Sequence, residues 1–154
     1  TLCLHCAGCS KNKEEITSAS LPIAENFTLE STDNSFVTLS DANNNGVILV
    51  FYATWCPLCR SEIPELKELY SLAQEKNITM HGITIKQSKK LVERYEQKNM
   101  LPYTTLLDMD RSVAMSYNLT GFPTIVGINK NGEIVFRKSS LPENKEELIN
   151  MFTE

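Results

Sequence analysis

Val47-Ile48-Leu49-Val50-Phe51-Tyr52-Ala53-Thr54-Trp55-Cys56-Pro57-Leu58-Cys59-Arg60-Ser61-Glu62-Ile63-Pro64 is the stretch on which the reading of this chain turns. Residues 47–53 form a short β-branched and aromatic run, the composition of a buried central strand. Past the second cysteine, Ile63, Leu66, Leu69, Tyr70 and Ala73 recur at three- and four-residue steps. Glu62, Glu65, Lys67, Glu68, Gln74 and Glu75 fill the gaps, which predicts an amphipathic helix. Cys56 therefore falls where strand hands over to helix, and Cys59 in the first helical turn. A helix start offers unpaired N–H groups and a partial positive charge, both of which stabilise a thiolate. Cys56 is the expected nucleophile. Cys59, one turn on, can attack the Cys56 sulfur and resolve a mixed disulfide. Pro57 suits the first helical position, where its missing N–H costs nothing. A zinc half-site and a static disulfide are the competing readings of the pair. Zinc needs further ligands, and beyond residue 9 the chain offers only these two cysteines and His81. A static bridge would make poor use of an acidified first cysteine. The expected chemistry is redox, carried by a reversible Cys56–Cys59 disulfide with no other cofactor and no metal.

Working outward, strands and helices alternate, the pattern of an α/β sheet. Phe27-Thr28-Leu29 and Phe36-Val37-Thr38-Leu39 predict an N-terminal hairpin, and Asn43-Asn44-Asn45-Gly46 a turn before the central strand. Residues 78–85 predict a strand, 89–99 a helix, 104–107 a strand and 111–117 a short helix. Residues 124–128 and 133–137 pair through Asn129-Lys130-Asn131-Gly132, and 144–152 close as a terminal helix. There is no internal repeat. The 154 residues, 42% hydrophobic and 22% charged, suffice for one modest domain with a real core. A net charge of −4 gives no reason to expect a nucleic-acid partner and predicts mild repulsion from acidic partners. No stretch reaches the apolar length of a spanning helix.

The segment Ala53–Pro64 resembles the active-site segment of thioredoxin-fold proteins, specifically the bacterial envelope branch of TlpA, ResA and the cytochrome c maturation reductases. Glu62 matches the acidic residue that this branch carries beside its dithiol. Pro64 matches the proline that kinks the active-site helix. Tyr117-Asn118-Leu119-Thr120-Gly121-Phe122-Pro123-Thr124 resembles the segment ending in the cis-proline that faces the dithiol. The similarity runs over about Phe27 to Phe152. It implies a thioredoxin-like fold, a central mixed sheet flanked by helices, with the N-terminal hairpin and a TlpA-type helix–strand insertion over residues 88–107.

It also implies site roles. A cis Phe122–Pro123 bond would offer the Phe122 N–H and C=O to an extended substrate strand. Trp55, Leu58 and Phe122 would form an apolar rim, with Pro57 and Pro123 as further substrate-facing residues. Glu62 would join Cys56 and Cys59 as a catalytic residue, accepting a proton from Cys59 or raising the thiol pKa values by repulsion. Two positions depart from the pattern. The acid that thioredoxin buries six residues before its first cysteine is Val50, and the dipeptide is Pro57-Leu58, proline first as in the maturation reductases and DsbA.

Thr1-Leu2-Cys3-Leu4-His5-Cys6-Ala7-Gly8-Cys9 holds three of the five cysteines. An iron–sulfur run would need a cysteine at Lys13, and haem attachment a histidine at Ala7. A disordered tail is the plain alternative. The reading adopted is that Cys6-Ala7-Gly8-Cys9-Ser10 resembles a lipoprotein-signal box, with Cys9 lipidated and Ser10–Ser20 a polar tether. Residues 1–20 are then signal remnant and tether, and 21–154 the thioredoxin-like domain.

Together these readings predict a thiol-disulfide oxidoreductase of the bacterial periplasm or envelope, in the direction of a reductase. It would be lipid-anchored at the membrane and recharged by an electron relay of the DsbD/CcdA kind. Its substrates would be protein disulfides, apocytochrome c haem-site cysteines among them. A peroxiredoxin would need Pro-x-x-x-Thr-x-x-Cys, where this chain has Leu49 and Ala53. The rival from another class is an SCO-like copper chaperone, which looks for Cys-x-x-x-Cys plus a remote histidine; here the spacing is one residue short, and His81 lies in or beside a strand.

Overall fold

The computed structural model describes residues 20–42 and 44–153. Cys9 and nearly all of the expected tether lie outside them. A five-stranded sheet has the order β5 (Thr105–Asp108), β4 (Ile78–Ile85), β3 (Gly46–Phe51), β6 (Thr124–Asn129), β7 (Ile134–Lys138). β3 runs parallel to β4, and β4 to β5; β3–β6 and β6–β7 are antiparallel. The sheet is mixed, as expected. The hairpin β1 (Thr28–Glu30) and β2 (Phe36–Thr38) forms a separate two-stranded sheet.

All of β3 is buried, because a central strand covered on both faces has no solvent side. Successive side chains alternate between faces. Ile48 and Val50 pack with Leu66, Leu69 and Ala73 of α2 (Ile63–Glu75) and with Leu148 and Ile149 of α5 (Glu146–Asn150). Val47, Leu49 and Phe51 pack on the other face with Val113 of α4 (Ser112–Ser116), with Tyr117, and with Leu29 and Val37 of the hairpin.

The expected helix after the dithiol is two helices, α1 (Pro57–Ser61) and α2. Glu62 caps both, and Pro64 lies in the first turn of α2. Proline cannot continue a helix that needs its N–H, so the break falls just before it. β3 ends at Phe51 rather than Ala53. The Tyr52 N–H still donates to the Ile83 carbonyl at 3.0 Å, and its hydroxyl is hydrogen-bonded to that of Thr105 at 2.7 Å. The insertion is α3 (Lys89–Asn99), started by the Ser88 hydroxyl, followed by β5, which extends the sheet beyond β4. The terminal helix is shorter than expected; Asn144 precedes it, its side chain bonded to Glu147 at 3.1 Å.

Candidate active site

Cys56 is the N-cap of α1, in extended conformation at φ −83° and ψ 113°. Its sulfur accepts the Cys59 N–H at 3.1 Å. That places an orphan amide of the first turn on the sulfur expected to attack, where it favours the charged form. Cys56 and Cys59 are disulfide-bonded, their Cα atoms 5.3 Å apart. Both are buried, Cys56 at 5% exposure and Cys59 at 2%, so the first cysteine keeps the wider contact with solvent.

The strand register brings the second segment to the first. Phe51, last in β3, pairs with Thr124, first in β6. The chain entering β6 therefore runs beside the chain leaving β3. The Phe122–Pro123 bond is cis, and Pro123 borders a small cavity shared with Cys59. Among the described residues, neither the Phe122 N–H nor its carbonyl is engaged in a hydrogen bond. Trp55 meets Phe122 edge-to-face, ring centroids 6.0 Å apart, and Phe122 packs against the cluster that holds both cysteines. Trp55 at 69% and Leu58 at 67% exposure present large apolar surfaces around the disulfide. Pro57, at the first position of α1, is also exposed.

Glu62 is half-buried at the joint of α1 and α2, and its Oε2 accepts the Leu141 N–H at 3.3 Å. It does not border the cavity beneath Cys59. That cavity is lined instead by Val50, Tyr52, Ile63, Tyr95, Tyr103 and Pro123, among others. Sequence reading missed the three tyrosines. Tyr52 and Tyr95 stack at 5.3 Å. The Tyr95 hydroxyl is buried without a hydrogen-bond partner among the described residues. Burial pushes its pKa up, and the nearby Arg60 guanidinium draws it back without reaching hydrogen-bond geometry. Helical periodicity marks Val92 and Tyr95 as the inner face of α3, but nothing local says that this face meets the dithiol.

His81 lies within β4, with Nδ1 3.3 Å from the Thr104 hydroxyl. Among the described residues, no group of three or more Cys, His, Asp or Glu is arranged to hold a metal ion. No helix among them is long and apolar enough to cross a membrane.

Residues 22–137 match the AhpC/TSA family. The chain is 32% identical over 123 residues to the thiol-disulfide oxidoreductase ResA of Bacillus subtilis (strain 168), a match covering 80% of this chain and 68% of that protein. It is 28% identical over 131 residues to ResA of Halalkalibacterium halodurans, covering 85% and 73%. The thioredoxin domain of a thiol-disulfide oxidoreductase from Bacteroides vulgatus superposes with a TM-score of 0.76 at 23% identity, over 88% of this chain and 99% of that one. The fold is thioredoxin-like, as expected.

Proposed function

The chain belongs to the AhpC/TSA family, and we propose that within it this protein works as a thiol-disulfide oxidoreductase, reducing protein disulfides through Cys56 and Cys59. The observation that carries the reading is the Cys56 sulfur at the start of α1, holding the Cys59 amide and bounded by the cis Phe122–Pro123 segment. The similarity to ResA supports it. Peroxidase chemistry does not follow from membership. The proline and threonine of the peroxidatic pattern are Leu49 and Ala53, both buried and without a hydroxyl.

In the reduced protein the Cys56 thiolate attacks one sulfur of a substrate disulfide. A Cys56–substrate bond forms, the substrate S–S bond breaks, and the departing thiolate takes a proton. Cys59, deprotonated, then attacks the Cys56 sulfur, releasing the second substrate thiol and closing the Cys56–Cys59 disulfide. Two electrons have passed to the substrate, and a dithiol donor must return them. The free Phe122 amide and carbonyl suit an extended substrate strand, with Trp55, Leu58 and Phe122 as its apolar rim.

The reading extends to location: the bacterial envelope, on the periplasmic side, anchored through a lipid on Cys9 and recharged by a membrane relay of the DsbD/CcdA kind. The Cys6–Ser10 box and the relation to ResA support it. One experiment in the native host tests both parts. Cys59→Ser should accumulate mixed disulfides with envelope proteins, in the membrane fraction, while Cys56→Ser forms none. Full turnover by Cys59→Ser would refute the resolving role. Mass spectrometry finding residues 1–8 still attached and Cys9 unmodified would refute the anchor.

A further inference from the structure

Beside the dithiol, apart from the Trp55–Phe122 rim, lies a concavity of about 220 Å³. Thr54, Arg60, Leu91, Arg94, Tyr95 and Lys98 line it. Thr54 stands two residues before Cys56, and Arg60 directly follows Cys59, so the concavity adjoins the segment that carries the dithiol. Three of the lining residues are cationic, and none is a carboxylate.

The charge arrangement is unfavourable to the isolated helix. Lys90, Arg94 and Lys98 follow one another at four-residue steps on α3, and like charges at that spacing repel. Among the described residues no carboxylate pairs with Arg60, Lys90, Arg94 or Lys98, whereas Lys89 pairs with Glu30 at 3.0 Å. The nearby Glu96 is committed elsewhere, accepting from the Thr105 N–H at 2.8 Å and the Thr32 hydroxyl at 2.9 Å. Complementarity to helix dipoles accounts for Lys98 and Arg60, each in the last turn of its helix. It does not account for Arg94, nor for the convergence of all three on one concavity in a chain of net charge −4.

We propose that this cleft binds acidic side chains of the protein whose disulfide the dithiol reduces, selecting Asp or Glu beside the target cysteine. The proposal rests on the oxidoreductase reading. Arg60, Arg94 and Lys98 supply the cations, and Leu91, 43% exposed, an apolar contact for the substrate chain. The repulsion from acidic partners expected of the net charge is reversed at the one place where they would dock.

The test uses the reduced full chain and three peptide disulfides, alike except that two glutamates, two glutamines or two lysines flank the cysteine. At low salt the glutamate peptide should be reduced fastest and the lysine peptide slowest, roughly three- to tenfold apart for two partly exposed ion pairs. The rates should converge at about 0.5 M salt, where such pairs are screened. In the Arg94→Glu/Lys98→Glu double variant the order should invert. Equal rates in the wild type at low salt, a preference for the lysine peptide, or an unchanged order in the double variant would each overturn the cleft. Failure to reduce any of the three peptides would overturn the oxidoreductase reading instead.

Discussion

At the scale of single residues, the question is what receives the proton of Cys59. The position of thioredoxin's buried acid is Val50, which is fully buried among Leu66, Leu69 and Ile125. The wall beneath Cys59 is apolar and tyrosine-lined, and a neutral tyrosine donates a hydrogen bond more readily than it accepts a proton. Glu62, one turn beyond Cys59 in the chain, is the carboxylate we propose for the task on the family resemblance, and its hydrogen bond from Leu141 is one that glutamine can also accept. Glu62→Gln should therefore keep the fold while deleting the charge. Its expected effects are lower apparent thiol pKa values, because a repelling carboxylate is gone, and release of the mixed disulfide slowed about tenfold or more. Stopped-flow thiol titration and single-turnover resolution measure the two separately. If neither moved, Glu62 would be a helix-joint residue and the proton would go to water.

At the scale of elements, α4 shows how a helix too short to be stable alone is held in place. It has five residues, fewer than isolated helices need. Its first turn has no side-chain cap from Arg111. Asp108, the fully buried last residue of β5, takes that part: Oδ1 accepts from the Val113 N–H at 3.3 Å and Oδ2 from the Ala114 N–H at 2.8 Å. The next element in the chain is the segment ending in Phe122–Pro123, so this cap also positions one wall of the active site. Asp108→Ala would leave two amides unpaired and should lower unfolding free energy by about 2–3 kcal/mol, by urea denaturation of the oxidised protein. Asp108→Asn should lose less, since it can still accept. A loss under about 0.5 kcal/mol for alanine, the size of an ordinary surface substitution, would mean that α4 is held in place without the Asp108 cap.

At the scale of the whole molecule, stability should depend on pH through His81. The imidazole is largely buried in β4, and burial holds its pKa below the ordinary 6.5, against smaller opposing effects of Thr104 and Asp33. As pH falls below about 6.5, the unfolded chain takes up a proton that the folded chain resists. Folding is therefore favoured at pH above the unfolded value, and that advantage is lost as pH falls toward the folded one. The urea midpoint should drop between pH 8 and 5.5, and His81→Gln should remove most of the drop. A wild-type midpoint equal at both pH values would show that His81 is not held neutral by the fold.

Local pattern alone settled much of this protein. The bounds of β4 and α3 follow from where apolar alternation and helical periodicity begin and end. Pro57 after Cys56 marks a helix start, whereas Pro64, expected only to kink one helix, accompanies a full break between α1 and α2. Those bounds and that helix start depend on interactions within a few residues, which a linear sequence states directly. The pairing of Phe51 with Thr124 joins residues 73 apart in the chain; the resemblance anticipated its result, a cis-proline beside the dithiol, but not the register that produces it. Tyr95 beneath Cys59, the partner of Glu62 across the loop at Leu141, and the convergence of Arg60 with Arg94 and Lys98 had no local signal. Periodicity says which face of a helix is inward, whereas which neighbour that face meets depends on how sheet register and layer packing place whole elements against one another.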